Sequence, residues 1–262
     1  MDLGLKGRVV LVTGGSKGIG LACAGAFAAE GARVAIASRS RDNLAAAEAK
    51  LRAAGHDATS IAADLGNPRG AMAAVAETER RFGPIDVLVN SAGAARRHSP
   101  EELDMQAWHE AMDAKYFTYV HAMQAVLPGM AARGRGAIVN IVGQGGKIAS
   151  PAHLAGGAAN AALMLLSAGL AAAYGKKGVR VNAINPGVTL TERVTGRFEA
   201  EGKTAGISPD EARRRGEQSI PLGRYGTPDE IAAVAVFLAS DRASYVTGAN
   251  IPMDGGAAAT VV

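Results

Sequence analysis

Short runs rich in valine and isoleucine recur along the chain between longer alanine-rich stretches. The runs read VVLVTG from Val9, RVAIASR from Arg33, DATSIAAD from Asp57, DVLVNSAG from Asp86, GAIVNIVG from Gly136, VRVNAINPG from Val179 and NIPMDGG from Asn250. Runs that are apolar on both faces need helices above and below them, so the alternation predicts a parallel sheet covered on both sides. The fold expected is α/β, a doubly wound parallel sheet of the Rossmann type in a single domain spanning residues 1–262. No internal repeat or composition break divides the chain. A polar segment bearing glycine and arginine, residues 189–218, is expected to be a lid-like insertion.

The first run ends in Thr13-Gly14-Gly15-Ser16-Lys17-Gly18-Ile19-Gly20. Glycines between a strand and a helix permit a tight turn and let a pyrophosphate approach the N–H groups at the helix N-terminus. The second run ends about twenty residues later, where such folds meet the adenosine ribose. There the chain carries Ser38 followed by Arg39, where an acidic residue would bind a ribose 2′-hydroxyl. Without that acid, and with Arg39 and Lys17 available to phosphate, the cofactor expected is NADP(H).

Composition narrows the remaining classes. The net charge of +4 comes from scattered basic residues with only 4% aromatics, so no nucleic-acid partner is expected. The longest apolar stretch, AALMLLSAGLAAAYG, is interrupted by Ser167 and Gly169, and no membrane role is expected. One cysteine, Cys23, excludes an internal disulfide. No signal-peptide pattern is read at the start of the chain, and a cytoplasmic location is expected. No metal site is expected.

The TGxxxGIG pattern resembles the short-chain dehydrogenase/reductase family. So do Asp64-Leu65 after the third strand, Asn90-Ser91-Ala92-Gly93 after the fourth, Asn185-Pro186-Gly187 after the sixth, and the ending from IPLGRYGTPDE to MDGG. The resemblance covers essentially the whole chain. It implies that Asp64 and Leu65 border the adenine and that Asn90, Ala92 and Gly93 line the adenosine side. It further implies that Pro186, Gly187, Val188 and Thr191 hold the nicotinamide carboxamide. A homo-oligomer, dimer or tetramer, is also implied.

The chemistry end departs from the family pattern. Aligning the fifth strand puts Gly143 at the usual serine. Aligning the following helix puts Gly156 at the tyrosine and Asn160 at the lysine, and counting from Trp108 puts Lys115 at the asparagine. None of the five tyrosines has a lysine four residues on. Two residues are the catalytic candidates. Lys115 would send an ammonium toward the substrate carbonyl, and His153 has the side chain best suited to proton exchange at neutral pH. Tyr116, Gln144 and Lys147 are weaker candidates, and Arg96 and Arg97 stand near the expected substrate mouth. Met105, Trp108 and Met112 have the spacing of a helix packing face.

Two functional readings follow. One is an NADP(H)-dependent oxidoreductase acting on a small carbonyl or alcohol through an atypical site. The other is a catalytically inactive nucleotide-binding protein, a sensor or hetero-oligomer partner. A lyase or isomerase on the same fold is a third.

Overall fold

A computed structural model describes residues 1–93 and 96–258. The rest of the expected 1–262 domain lies outside the described residues. Seven parallel strands form one sheet in the order β3-β2-β1-β4-β5-β6-β7. They are β1 (Val9–Thr13), β2 (Arg33–Ser38), β3 (Ala58–Ala62), β4 (Val87–Asn90), β5 (Gly136–Ile141), β6 (Val179–Pro186) and β7 (Asn250–Met253). All seven apolar runs become strands, and the doubly wound parallel sheet is confirmed. The strand order reverses direction beside β1, which leaves a crevice at the carboxyl ends of β1 and β4.

Period-two geometry divides the core between the two faces. Val9 and Leu11 of β1 join Leu88 and Ile138 on one face, under α3 (Pro68–Phe82), α5 (Thr118–Ala132) and α6 (Leu154–Tyr174). Val10 and Val12 join Ile36, Val89 and Val139 on the other, under α1 (Gly18–Ala29), α2 (Arg41–Ala53) and α9 (Pro228–Ala239). Each buried strand is covered on both faces, which is why its sequence reads as a continuous apolar run.

Two expectations need correction, and a third gains detail. The apolar stretch is not broken at Ser167: its hydroxyl donates to the Leu163 carbonyl at 2.7 Å and accepts from Asn140 at 2.9 Å, so the helix runs through. The continuous helical region Pro151–Lys177 is long and apolar enough to cross a membrane by length and composition. It packs as a core helix, with Ala155, Ala159, Leu163, Met164 and Ala171 buried against the sheet. Second, Met105 does not belong to the packing face of α4 (Met105–Ala111). Ala107 and Ala111 are buried there and Met105 is exposed, while Trp108 and Met112 are half-buried. Third, residues 189–218 are mostly helical, forming α7 (Glu192–Ala205) and α8 (Pro209–Gln218). Phe198, Ile220 and Tyr225 make a small separate core beneath them, with Phe198 and Tyr225 stacked 5.4 Å apart.

Candidate functional site

Two adjoining cavities lie at the carboxyl ends of the strands. The first, about 560 Å³, is lined by Ser38, Arg39, Asp64, Leu65, Asp113 and Arg96 among others. The second, about 990 Å³, runs from the glycine turn past Pro186–Thr189 to Lys115, His153 and Asn160. Gly14, Ser38, Ala92 and Gly93 line both, so the two are neighbouring halves of one crevice.

The glycine turn is shaped by close backbone approach. Gly14 sits at φ +67°, and a Cβ there would stand 2.7 Å from the Ala92 backbone. Gly20 is packed against the Gly14 carbonyl. Gly18 and Ile19 line the larger cavity at the start of α1, whose N-cap, Lys17, makes no side-chain capping bond. First-turn N–H groups left without a side-chain cap suit a bound phosphate. Ser16 donates to Ser38 at 3.1 Å, tying the turn to the end of β2. Arg39 is exposed in the smaller cavity. Lys17 stands 3.9 Å from Glu192 at the start of α7, linking the glycine turn to the helical insertion at the larger cavity.

The other expected cofactor residues divide into lining and support. Pro186, Gly187, Val188 and Thr191 line the larger cavity. Asn90 lies beneath the floor: it accepts from Thr13 at 3.1 Å and donates to Asn140 at 2.9 Å. These bonds hold the ends of β1, β4 and β5 together, and Asn90 itself is fully buried.

Lys115 lies in a π-helical segment, Met112–Phe117, inserted between α4 and α5. Such segments often mark functional positions because the extra residue turns side chains to a new face. The hydroxyl of Thr118 donates to the Lys115 carbonyl at 2.9 Å. The Lys115 ammonium is buried and donates to the Tyr119 hydroxyl at 2.9 Å and to the Ile141 carbonyl at 3.1 Å. Burial, and secondarily the nearby Arg193 cation, bring its pKa down to about 7. Burial pushes the Tyr119 phenol up, and its hydroxyl donates to the same Ile141 carbonyl.

His153 precedes α6 and folds back over Gly156. A Cβ on Gly156 would fall 2.6 Å from Nε2 and 2.7 Å from Nδ1 of the imidazole and closer still to Cε1. The ring therefore fills the space a side chain at 156 would take, and glycine is needed there to admit it. Burial, then the Arg97 and Lys115 cations, lower the His153 pKa below its ordinary value. Nδ1 is buried without a hydrogen-bond partner.

Among the described residues, neither cavity is lined by tyrosine. Tyr116 packs partly buried beside the core, edge-on to Phe117. Lys147 donates to the Asn250 carbonyl of β7 at 3.4 Å and does not line either cavity. Gln144 and Arg97 line the larger cavity and Arg96 the smaller. Sequence reasoning passed over Asn160 as a candidate, although Gly156 and Asn160, four apart on α6, share a helical face.

A parallel doubly wound sheet with a glycine turn and an uncapped helix at its switch point defines a dinucleotide-binding Rossmann protein. The chain belongs to the short-chain dehydrogenase/reductase family. Residues 14–258 match the family profile described as enoyl-(acyl carrier protein) reductase. The chain is 40% identical over 258 residues to D-threitol dehydrogenase of Mycolicibacterium smegmatis, covering 97% of this chain and 94% of that one. It is 40% identical over 254 residues to galactitol 2-dehydrogenase (L-tagatose-forming) of Cereibacter sphaeroides, covering 96% and 95%. L-sorbose reductase from Gluconobacter frateurii, complexed with NADPH and L-sorbose, superposes with a TM-score of 0.93 at 33% identity over 100% of both chains. Actinorhodin polyketide ketoreductase with NADPH gives 0.92 at 31% identity, covering 97% of this chain and 98% of that one.

Proposed function

We propose that the protein is an NADP(H)-dependent oxidoreductase acting on a small carbonyl compound or the corresponding alcohol, with His153 and Lys115 in place of the tyrosine and lysine usual in the family. The observation that carries this reading is the single crevice that joins Arg39 and the uncapped α1 N-terminus to the pocket of Lys115 and His153. Relatives named for threitol and galactitol support a polyol or its ketose as substrate. Neighbours solved with NADPH, together with the absence of an acid at Ser38, support the phosphorylated cofactor.

The glycine turn, Gly14 to Gly20, and the α1 N–H groups would hold the pyrophosphate. Ser38 and Arg39 would hold the 2′-phosphate, Asp64 and Leu65 the adenine, and Ala92 and Gly93 the adenosine side. Pro186, Gly187, Val188 and Thr191 would hold the nicotinamide, with α7 and α8 as a lid. When bound, NADPH supplies hydride and NADP⁺ accepts it. His153, kept neutral at pH 7 by burial and two nearby cations, takes the alcohol proton in oxidation and returns one to oxygen in reduction. Lys115, titrating near 7 at the cavity floor, adds positive charge beneath the reacting oxygen. The exposed apolar residues of α4 to α6, Met105, Phe117, Leu154 and Leu165, support a homo-oligomeric assembly.

The test is NADPH fluorescence titration followed by a panel of ketoses, small ketones and polyols, in wild type, His153→Phe and Lys115→Met. His153→Phe is expected to lose about 10²–10⁴ in kcat while keeping its NADPH affinity. In wild type, kcat for alcohol oxidation rises with pH through an inflection below 6.5, the ordinary histidine value, and His153→Phe loses that inflection. Tight NADPH binding without turnover of any compound in wild type would overturn the oxidoreductase reading. Unchanged turnover in His153→Phe would remove only the proton-transfer assignment.

A further inference from the structure

We infer that the side-chain amide of Asn160 binds the reacting oxygen of the substrate, as the hydrogen-bond donor that steadies negative charge on that oxygen during hydride transfer. The inference rests on the oxidoreductase reading above.

Asn160 lies on α6 one turn beyond Gly156, is 6% exposed, and lines the larger cavity. Its amide makes no hydrogen bond to any described residue; the buried Asn90, Asn140 and Asn182 are bonded, and Asn185, whose buried amide also lacks a partner among the described residues, lines neither cavity. An amide that faces a cavity and has no protein partner is positioned for a ligand. Gly143, Gly145 and Gly156 put no side chain into this part of the cavity, whose other neutral polar lining includes Gln144 and Ser150.

The geometry at Gly143 sharpens the assignment. A Cβ built there would stand 3.3 Å from Asn160 Nδ2, and among the described residues beyond its chain neighbours Val142 and Gln144 only Asn160 comes within 4 Å of it. Gly143 sits at φ +124°, a conformation that strains any residue with a side chain. A hydroxyl at that position would require the backbone to move, whereas the Asn160 amide reaches this part of the cavity from α6. Asn160 Nδ2 and the His153 ring also converge on Gly145: a Cβ there would be 3.5 Å from Nδ2, 3.1 Å from His153 Cδ2 and 3.7 Å from Nε2. A neutral donor and a titrating base thus stand side by side at one place in the cavity.

The two groups divide the chemistry. In reduction the carbonyl carbon gains hydride from NADPH, and the carbon–oxygen π pair moves onto oxygen. An Nδ2–H of Asn160 donates to that oxygen as its charge develops, and the proton arrives from the His153 imidazolium. In oxidation the steps reverse, with NADP⁺ taking the hydride and neutral His153 the proton. Asn160 donates throughout and never changes charge. This separates it from Lys115, whose charge varies with pH.

The experiment compares wild type, Asn160→Leu and Asn160→Asp by NADPH affinity, by kcat and KM on the carbonyl panel, and by isotope-edited infrared spectroscopy. The infrared probe is [2-¹³C]hydroxyacetone bound with NADP⁺. Asn160→Leu keeps the volume but removes the donor. Both variants are expected to keep NADPH affinity and to lose about 10²–10³ in kcat/KM. The labelled carbonyl stretch of the wild-type complex is expected at lower frequency than that of Asn160→Leu. A structural role alone would leave that frequency unchanged. Equal frequencies, or kcat/KM in both variants within about threefold of wild type, overturn the inference while the oxidoreductase reading stands. Loss of NADPH binding in both variants assigns Asn160 to folding and overturns it as well. Wild type that binds NADPH but reduces no compound brings down the oxidoreductase reading and the inference with it.

Discussion

Lys115 shows how burial changes what a residue is. An ammonium held under the end of β5, with a phenol and a carbonyl as partners and no carboxylate, is disfavoured as a cation. In the unfolded chain it keeps its proton up to about 10.5, and in the fold only up to about 7. Below pH 7 the whole cost of burying the charge opposes folding. Between 7 and 10.5 the folded state has released a proton that the unfolded state retains, so stability rises with pH. Lys115→Met is therefore expected to stabilise the protein by roughly 3–5 kcal/mol at pH 6, with a gain about 2–3 kcal/mol smaller at pH 9. Denaturant titrations at the two pH values measure this, and a gain that does not depend on pH would refute it. His153 was a visible candidate in the sequence, but its ring lying over Gly156 was not. A histidine and a glycine three residues apart acquire that relation only when the turn before α6 folds the imidazole back.

At the level of elements, strands and helices were legible because their periodicities are local. The π segment was not, because one extra residue in a helix leaves no mark on an apolar pattern whose neighbours are all compatible with α-helix. Residues 189–218 were legible as an insertion, though not as a helical pair. Their helices are strongly polar, and of α7 Phe198 is buried in the small cluster with Ile220 and Tyr225 while Val194 packs against it. Phe198→Ala is expected to loosen α7 and α8 locally by a few kcal/mol, of the order of ~3, while leaving the main core intact. Hydrogen exchange should then quicken in 192–218 and stay unchanged in β1, β4 and β5, and KM should rise if these helices close over substrate. Uniform acceleration throughout the sheet would contradict a separate cluster.

For the whole molecule, the exposed apolar residues on α4, the π segment and α6 matter most. Leu165 is 79% exposed and Met105 68%. In an oligomer these residues are covered, and burying them supplies part of the association free energy. Leu165→Glu is expected to shift the protein to a smaller species in sedimentation velocity, while circular dichroism stays unchanged. An unaltered sedimentation coefficient would place the interface elsewhere. The seven strands and the glycine turn were determined by the sequence alone, because each depends on residues that are neighbours in the chain or repeat with a fixed period. The relations among Lys115, His153, Gly143 and Asn160 were decided by the tertiary structure. They depend on where the π segment, the end of β5 and the start of α6 meet, and on which backbone angles and buried polar groups that meeting leaves for a substrate to satisfy.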